Sequence, residues 1–374
     1  MYIGIISTIG GRYSWAGSEE TWRLFALEAL RQGHHVSISA SSAIARSGQV
    51  NQLRDRGVQI FARKELNGVT RRLARRRLYS RFSRFFRKHH DVIFLSMGGA
   101  GDCFWIPDLL ESLRNSKIPL VIFVQANAEG MIHEESQREI LRLFYQRATK
   151  VIFLSQHNQT LLERQLAISF PHGCQIMNPL REPLGASLPW PNRASEPVRF
   201  AEVARLEVAD KHQDHLLEAL ATPLWRARPW ELTFYGSGDD EGHIRRLISF
   251  FGLQDKVHLG GYLSDFRDIW KSHHLHVIPS RREGMPLALI ESMACGRPAV
   301  VTRAGGNPEL VEDGVQGWVC PGMHPEVLRE TLERAWQARD RWSTMGEAAY
   351  RKIQSVIDPQ WGQRVLAVVV AAVQ

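Results

Sequence analysis

The sequence predicts an α/β protein of two domains, each built on a parallel sheet. The first observation is length, because 374 residues exceed the size at which a single core keeps growing. The second is pattern: short β-branched runs alternate with stretches of helical periodicity, which is typical of parallel α/β units. The third is a stretch rich in Pro and turn formers, residues 181–197, which predicts a linker between two halves.

Strands are predicted from short apolar runs in both halves. In the first half these runs are residues 2–7, 36–40, 91–95, 119–124 and 150–154. In the second half they are residues 198–203, 232–235, 257–259 and 299–301. A Gly-rich loop with Gly11 and Ala16 follows the first run, and Ser18 is expected to cap the next helix. Ser155 is the predicted cap of a later helix.

Composition and charge narrow the function classes. A net charge of +8 and a pI near 9.5 imply anionic partners, whether nucleotide, lipid head group or nucleic acid. The four cysteines form no C-x-x-C pair, which argues against a zinc site or a disulfide framework and suits a reducing compartment. The first residues are typical of a strand rather than a signal peptide, and the longest apolar run, 365–373, is too short to span a bilayer. We therefore expect a cytoplasmic protein.

Residues 280–319 contain the densest set of chemical signals. Glu283 and Glu291 stand eight positions apart, with Pro286 at the expected first position of a helix between them. The N–H groups of residues 284–287 would form an anion site at the start of that helix. Carboxylates on either side of an anion suit a ligand that carries hydroxyls next to phosphates, as a nucleotide sugar does.

A second loop, Gly305-Gly306, leads to Asn307, the expected cap of a helix that Pro308 begins. The forty-residue run now resembles the GT4-type retaining glycosyltransferases, whose pattern is EG-x-P/G-x4-EAMA-x-G-x-P-V, then GG-x-x-E, then DG-x-x-G. Its three parts correspond here to residues 283–300, 305–309 and 313–317.

The resemblance implies a GT-B fold, with two Rossmann-like domains whose parallel sheets face each other across a cleft. Residues 1–182 would form the acceptor-binding domain and residues 183–357 the nucleotide-sugar domain, with a C-terminal helix, 358–374, crossing back to the first. The dinucleotide-binding alternative is rejected, because the spacing G-x-G-x-x-G is absent and an acidic residue is missing after the second strand.

The resemblance also assigns site residues. Arg205, Lys211 and Glu283 are the predicted catalytic residues, with the two cations neutralising the diphosphate and Glu283 binding hydroxyls of the sugar. Where the family has glycines beside these cations, this chain has Ala204 and His212. The remaining donor-binding residues are expected to be Gly17, Gly236, Ser237, Val257, His258, Gly284, Met285, Pro286, Leu287 and Glu291, the last of them on the ribose.

Many members of the family carry a histidine after the strand that corresponds to residues 119–124, but this chain has Gln125 and Asn127. Both remain acceptor or sugar candidates, as does His157, although none of the amides is a general base. His157 is equally interpretable as a structural contact at a helix start. Asp239-Asp240 and the pair Asp265 and Asp268 do not make a strand-end D-x-D motif, so no catalytic metal or other cofactor is expected.

Residues 71–88 carry nine Lys or Arg and no Asp or Glu. The sequence predicts an amphipathic helix with an apolar face that includes Tyr79, Phe82 and Phe85. Three interpretations stay open: a core-packed helix with a solvated basic face, a patch for an anionic acceptor or an anionic membrane surface, and a nucleic-acid site. Nucleic acid ranks last, because no signature of a nucleic-acid-binding motif is present. Membrane binding would make the protein peripheral at the inner membrane face.

The resemblance therefore implies a metal-independent, retaining glycosyltransferase that uses a front-face mechanism. A UDP-sugar is favoured over a GDP-sugar as donor, and the acceptor stays open among a glycan, a lipid-linked molecule and a small molecule. Two rivals remain: a nucleotide-sugar epimerase or phosphorylase on the same fold, and a non-catalytic membrane- or partner-binding module.

Overall fold

The structure, a computed structural model, describes residues 1–10, 15, 17–66, 68–75, 79–132, 134–191 and 197–374. They form two compact units, Met1–Pro179 with Asp358–Gln374, and Leu180–Ile357. The sequence placed the first boundary at 182. Gly11 and Ala16 of the Gly-rich loop, residues 76–78 of the basic segment and residues 192–196 of the linker lie outside the described residues.

The first unit is built on a seven-stranded parallel sheet. Its strands are β1 (Tyr2–Ser7), β2 (His35–Ser41), β3 (Gln59–Arg63), β4 (Val92–Met97), β5 (Leu120–Val124), β6 (Lys150–Phe153) and β7 (Gly173–Gln175). The helices that connect them are α1 (Gly17–Arg31), α2 (Gly48–Asp55), α3 (Gly68–Arg75), α4 (Ser83–Phe86), α5 (Pro107–Arg114), α6 (Glu135–Gln146) and α7 (Gln156–Leu166). The strand order, β3-β2-β1-β4-β5-β6-β7, reverses between β1 and β4.

The second unit repeats this plan with six parallel strands. They are β8 (Val198–Val203), β9 (Trp230–Tyr235), β10 (Val257–Gly261), β11 (Leu275–Ile278), β12 (Ala299–Thr302) and β13 (Gly317–Cys320), in the order β10-β9-β8-β11-β12-β13. Its helices are α8 (Val208–Lys211), α9 (Gln213–Leu220), α10 (Pro223–Arg226), α11 (Glu241–Phe250), α12 (Phe266–Trp270), α13 (Leu287–Ala294), α14 (Asn307–Leu310), α15 (Pro325–Gln337) and α16 (Trp342–Val356). The order reverses between β8 and β11.

The central strands form the cores of both units. Every residue of β4, β5, β11 and β12 is buried, as expected for parallel strands covered on both faces. In the second unit, four tryptophans also pack around Phe200: Trp225, Trp230, Trp336 and Trp342. Each buried aromatic side chain removes roughly 150–250 Å² of surface from water, so this cluster anchors the sheet that carries the loops described below.

The prediction of one amphipathic helix over residues 71–88 is wrong. Helix α3 ends at Arg75, α4 begins at Ser83, and residues 79–82 between them are not helical. The reason lies in local side-chain acceptors: the backbone N–H of Arg81 donates to Asp108 (3.1 Å) and that of Phe82 to the Ser80 hydroxyl (3.1 Å). These bonds replace the bonds to preceding carbonyls that a helix needs. Phe82 and Phe85 are buried, whereas Tyr79 is exposed.

A last helix, α17 (Trp361–Ala371), belongs to the first unit and packs on α1. The indole N–H of Trp361 donates to the Met177 carbonyl (2.8 Å), and Gly362 lies so close to Glu28 that a Cβ there would approach its side chain to 2.8 Å. Within the described residues, no helix combines the length and the apolar character that crossing a bilayer requires.

Candidate functional site

The three predicted catalytic residues follow strands β8 and β11, at the reversal point of the second sheet. Arg205 follows β8 by two residues, Lys211 is the last residue of α8, and Glu283 follows β11 by five. Because β8 and β11 are paired in parallel, their carboxyl ends meet at the same edge, the usual ligand position in open α/β sheets. The Lys211 ammonium contacts the Glu283 carboxylate at 2.6 Å, with 14% and 10% of the two side chains exposed. The fold thus joins residues that stand 72 positions apart in sequence.

The loop with Arg205 is held by backbone contact with the loop after β9. Gly236 has φ +138°, and a Cβ there would lie 1.9 Å from the Ala204 carbonyl oxygen. The N–H of Leu206 donates to the Ser237 carbonyl (3.1 Å). Gly236 and Ser237 therefore position Arg205, whose guanidinium contacts Glu207 at 2.9 Å. Only glycine accommodates this backbone conformation and this approach.

The loop with Glu283 is supported in the same way by the Gly305-Gly306 pair. Gly305 has φ +52°, and a Cβ on it would come within 2.3 Å of the Glu283 carbonyl oxygen. The N–H of Gly306 donates to the Gly284 carbonyl at 2.6 Å. The double glycine therefore has a mechanical role: it lets one loop lie directly against the backbone that presents Glu283.

Helix α13 begins one residue later than the sequence predicts. Pro286 precedes the first helical residue, Leu287, and its carbonyl accepts from Ile290 (3.2 Å). Asn307 is likewise the first residue of α14 rather than its cap, because its side-chain amide donates to the Thr302 carbonyl (3.1 Å). Gly284, Met285 and Pro286 lie in the turn that leads into α13, and Leu287 is the first residue of the helix.

Glu291 lies on the second turn of α13 with only 3% of its side chain exposed. Its carboxylate forms an ion pair with Arg181, a residue that no sequence motif marks as functional. The Arg181 guanidinium also lies over the Phe266 ring, 5.7 Å from its centroid. A carboxylate held in this way is oriented before any ligand arrives, since the pair restricts the rotamer of Glu291.

Sequence reasoning also missed Glu202 on β8, which is 2% exposed. One of its oxygens accepts from the Gln213 amide (2.9 Å), and the other, Oε2, has no hydrogen-bond partner among the described residues. Burial raises the pKa of Glu202 well above its usual value, an effect that the Lys211 charge opposes. Glu202 therefore interacts electrostatically with both members of the Lys211–Glu283 pair. The one available signal was a carboxylate that follows the apolar pair Phe200-Ala201 within a predicted strand.

An ion pair and a residue in the left-handed conformation lie next to Lys211 in the sequence or contact its neighbours. Asp210, which is buried, pairs with Arg282 at 2.5 Å. His212 takes the left-handed conformation (φ +53°) at the position where the family has glycine, and its ring stacks on His215 with centroids 4.2 Å apart. The departure from the glycine pattern therefore keeps the backbone conformation and adds a ring contact.

Two predicted base-binding residues lie away from the others. Val257 and His258 are the first two residues of β10, and Val257 pairs with Leu232 in the middle of β9. They thus stand at the amino end of the strand, about 10 Å before its carboxyl end at the usual rise of 3.3 Å per residue. Val257 is buried in the core and His258 is exposed. The structure does not bring this pair to the edge that carries Arg205 and Lys211.

The predicted residues of the first unit are tied into its own hydrogen-bond network. The Gln125 amide donates to the Ser18 carbonyl (3.0 Å) and the Ser96 hydroxyl (2.8 Å). The Asn127 amide donates to the Gln165 side chain (2.8 Å). Gly17 is the first residue of α1, so Ser18 is not its cap. His157 lies exposed in the first turn of α7, which Ser155 caps as predicted.

No group of three His, Cys, Asp or Glu side chains in the described part of the chain is arranged to hold a metal ion. The predicted charged side chains of the second unit are the cations of Arg205 and Lys211 and the carboxylates of Glu283 and Glu291, together with the start of α13. Such a set suits an anion flanked by hydroxyl groups.

Residues 198–338 match the model of the family described as "Glycosyl transferases group 1". The amylovoran biosynthesis glycosyltransferase AmsK of Erwinia amylovora is 29% identical over 295 residues, which cover 74% of this chain and 69% of AmsK. The exopolysaccharide phosphotransferase SCO2592 of Streptomyces coelicolor is 29% identical over 217 residues, 56% of this chain. That match spans only 22% of the length of the Streptomyces protein.

Among solved structures, Anabaena Alr3699/HepE in complex with UDP superposes with a TM-score of 0.71 at 17% identity, covering 99% of this chain and 100% of that one. At this level of identity the likeness concerns the fold. It confirms the fold class predicted from the sequence, α/β with two Rossmann-like domains of the GT-B type.

Proposed function

We propose that this chain, whose residues 198–338 match the group 1 glycosyltransferase model, moves a sugar from a nucleotide-diphosphate sugar to an acceptor hydroxyl. The observation that carries the proposal is the Lys211–Glu283 contact of 2.6 Å at the reversal point of the second sheet, where Arg205 follows the end of β8. Two cations beside a carboxylate at a strand-end edge match the charges and hydroxyls of a sugar diphosphate.

Each residue then has a role. Arg205 and Lys211 neutralise the diphosphate together with the N–H groups at the start of α13. Glu283, released from Lys211 when the phosphates take its place, accepts hydrogen bonds from the sugar hydroxyls. Glu291, held by Arg181, accepts from the ribose hydroxyls. We assign the neutralisation to these side chains and expect activity without a divalent metal.

The reaction we propose retains the anomeric configuration. The acceptor oxygen attacks the anomeric carbon on the face from which the diphosphate departs, so the new C–O bond replaces the old one with the same stereochemistry. The acceptor proton passes to the departing phosphate oxygen, and the nucleoside diphosphate leaves. Cations on the diphosphate stabilise the charge that develops as the bond breaks, typically by several kcal/mol (about 3–4 for one donor). UDP is the favoured nucleotide, a preference supported by the HepE–UDP complex.

The test is a thermal-shift panel of UDP, GDP and their sugars in the presence of EDTA. We expect one nucleotide series to raise the melting temperature of the wild type, and the rise to be lost in Arg205→Ala. Arg245→Ala, on the exposed face of α11, is the matched control and should behave like the wild type. Unchanged binding by Arg205→Ala would contradict the assignment.

A labelled donor then distinguishes the reaction. Label that reaches an acceptor with retained configuration, read by NMR of the anomeric proton, supports the transferase. An isomerised sugar nucleotide formed without acceptor, or dependence on free phosphate, would instead identify an epimerase or a phosphorylase.

A further inference from the structure

The first unit contains a cavity of about 670 Å³ that the proposed reaction does not use. It lies between the carboxyl end of β3, the segment of residues 79–87 and helix α5, and its lining residues are Ala62, Arg63, Lys64, Ala74, Tyr79, Ser80, Arg81, Ser83, Arg84, Arg87, Asp108 and Glu111. The volume falls within the roughly 300–1,000 Å³ usual for small-molecule sites. Five of these side chains are basic and two are acidic, so the cavity carries an excess of positive charge.

The acidic side chains are already engaged. The Asp108 carboxylate is fully buried and accepts both the Nε and Nη2 hydrogens of Arg81 at 2.8 Å. Glu111 accepts from the Asn115 amide at 2.9 Å. In a bidentate pair of this kind, one guanidinium donates a hydrogen bond to each oxygen of one carboxylate. Asp108 thus forms its ion pair with Arg81, and its charge also acts on the nearby Arg63.

Arg63 is the buried member of the set, with 7% of its surface exposed. Its guanidinium donates to the Ser39 hydroxyl (2.8 Å) on β2 and to the Ser7 carbonyl at the end of β1, and it lies over the Phe82 ring, 4.8 Å from the centroid. All of these partners are neutral. A buried cation with neutral partners is costly to desolvate, and a bound anion would offset that cost.

Lys64, Arg84 and Arg87 stand at the mouth of the cavity with exposed side chains. Across the residues that the structure describes, no carboxylate forms an ion pair with any of the three. Three cations that line one cavity repel each other, and this repulsion destabilises the folded protein. It favours a ligand with several negatively charged oxygens.

We propose that this cavity binds a phosphoryl group, either of a soluble phosphorylated molecule or of a lipid head group. Phosphate offers several oxygens to the guanidinium forks of Arg63, Arg84 and Arg87, with Lys64 as a point charge. Through Arg63 the site reaches the carboxyl ends of β1, β2 and β3, the edge at which open α/β sheets bind ligands. None of the lining residues is among those proposed to bind the donor, so the inference goes beyond the proposed function.

The experiment uses the full chain with Arg205→Ala and Lys211→Ala, which removes the cations proposed for the donor. Inorganic pyrophosphate is titrated into this protein by calorimetry, and into the same protein with Arg84→Ala and Arg87→Ala added. We expect the added pair to weaken binding by about tenfold or more, as the loss of charge-assisted hydrogen bonds predicts. Lys88→Ala with Arg114→Ala removes two exposed charges outside the cavity lining and should leave the affinity unchanged.

Vesicles separate the two sources of phosphate. Co-sedimentation with phosphatidylglycerol vesicles but not with phosphatidylcholine, abolished by Arg84→Ala and Arg87→Ala and accompanied by weak pyrophosphate binding, assigns the site to a lipid head group. Pyrophosphate binding without vesicle binding assigns it to a soluble ligand. If neither probe distinguishes the Arg84→Ala, Arg87→Ala protein from its parent, the proposal is overturned, whatever the outcome for UDP.

Discussion

The two sheets reverse their strand order in the same way, but the side chains at the two reversal points differ. In the second unit, Lys211 and Glu283 form an ion pair that a charged ligand would replace. In the first unit, between β1 and β4, Ser96 and Gln125 bond to each other and Glu19 accepts from the hydroxyls of Ser7 and Ser18. Topology therefore sets where a ligand edge can form, and the side chains decide what kind of ligand it suits.

The largest expected effect comes from glycines at the two edges. Gly236→Ala places a Cβ 1.9 Å from the backbone oxygen of Ala204 at φ +138°, whereas Gly98→Ala meets the movable end of the Ile9 side chain at 2.2 Å. We expect Gly236→Ala to lower the free energy of unfolding by roughly 2–5 kcal/mol and Gly98→Ala by about 1 kcal/mol. Urea denaturation followed by fluorescence measures both. Equal losses in the free energy of unfolding would contradict this prediction, because they would mean that both loops accommodate a Cβ equally well.

Next in size is the effect of charge at the two edges. Lys211→Ala should raise the Kd for UDP by roughly 10- to 100-fold, because a charge-assisted contact is lost and Glu283 is left unpaired. Gln125→Ala, at the corresponding edge of the first unit, should leave that Kd unchanged. Calorimetry with UDP measures both, and Lys271→Ala, an exposed residue paired with Asp268, is the control. A higher Kd for UDP in Gln125→Ala would contradict the proposal that the two edges differ in the ligand that they bind.

Buried carboxylates offer a pH-dependent comparison. Burial raises the pKa of Glu202 above its usual 4.5, so the folded state binds the proton more tightly than the unfolded chain does. Stability therefore falls as pH rises above about 4.5, by at most about 1.4 kcal/mol per pH unit. Glu202→Gln should raise the melting temperature at pH 7 and have little effect at pH 4.

Glu19→Gln is the matched change in the first unit. The pKa of Glu19 is also raised by burial, but the Ser18 and Ser7 hydroxyls lower it in part. The amide would lose one of these acceptor positions, so the gain at pH 7 should be smaller than for Glu202→Gln. A larger rise in melting temperature for Glu19→Gln than for Glu202→Gln would contradict the view that the two serine hydroxyls stabilise the Glu19 carboxylate.

The smallest effect concerns two residues in the left-handed conformation, one in each unit. Ala167 (φ 51°) ends α7 and is exposed, whereas the His212 (φ 53°) ring stacks on His215. Ala167→Gly should stabilise the protein by about 1 kcal/mol through relief of strain. His212→Gly gains the same relief but loses the ring contact, so its melting temperature should rise less. Thermal denaturation of the two variants tests this order.

Much of the fold could be predicted because apolar runs and helical periodicity agree with burial. The predicted bounds of β1 and β8 match the structure residue for residue. Strand β11, which leads to Glu283, was not predicted. Histidines at positions 273, 274 and 276 lie before and within it, so the sequence there lacks a continuous apolar run. His276 is nevertheless fully buried, bonds to the Ser292 hydroxyl at 2.8 Å, and has its pKa lowered to about 3 by burial.

The candidate site was predictable only where a motif is contiguous. The run from Glu283 to Glu291 is recognisable as a motif from the sequence alone. The spacing of Arg205 and Lys211 also follows a pattern of the family that the sequence resembles. The partners that hold these residues lie elsewhere in the sequence: Arg181 pairs with Glu291 across 110 positions. Such pairs depend on how the sheet is folded, and a local pattern carries no information about them.

The return of α17 to the first unit has a consequence for how the chain acquires its structure. Residues 358–374 are synthesised after residues 180–357, yet the indole of Trp361 donates to the Met177 carbonyl and Gly362 lies against Glu28. During translation the intervening unit has its whole sequence before the leading one does, and domains generally fold as units while they emerge. The leading unit must therefore wait on the ribosome with the α1 surface uncovered, and a ribosome stalled near residue 357 would hold it there.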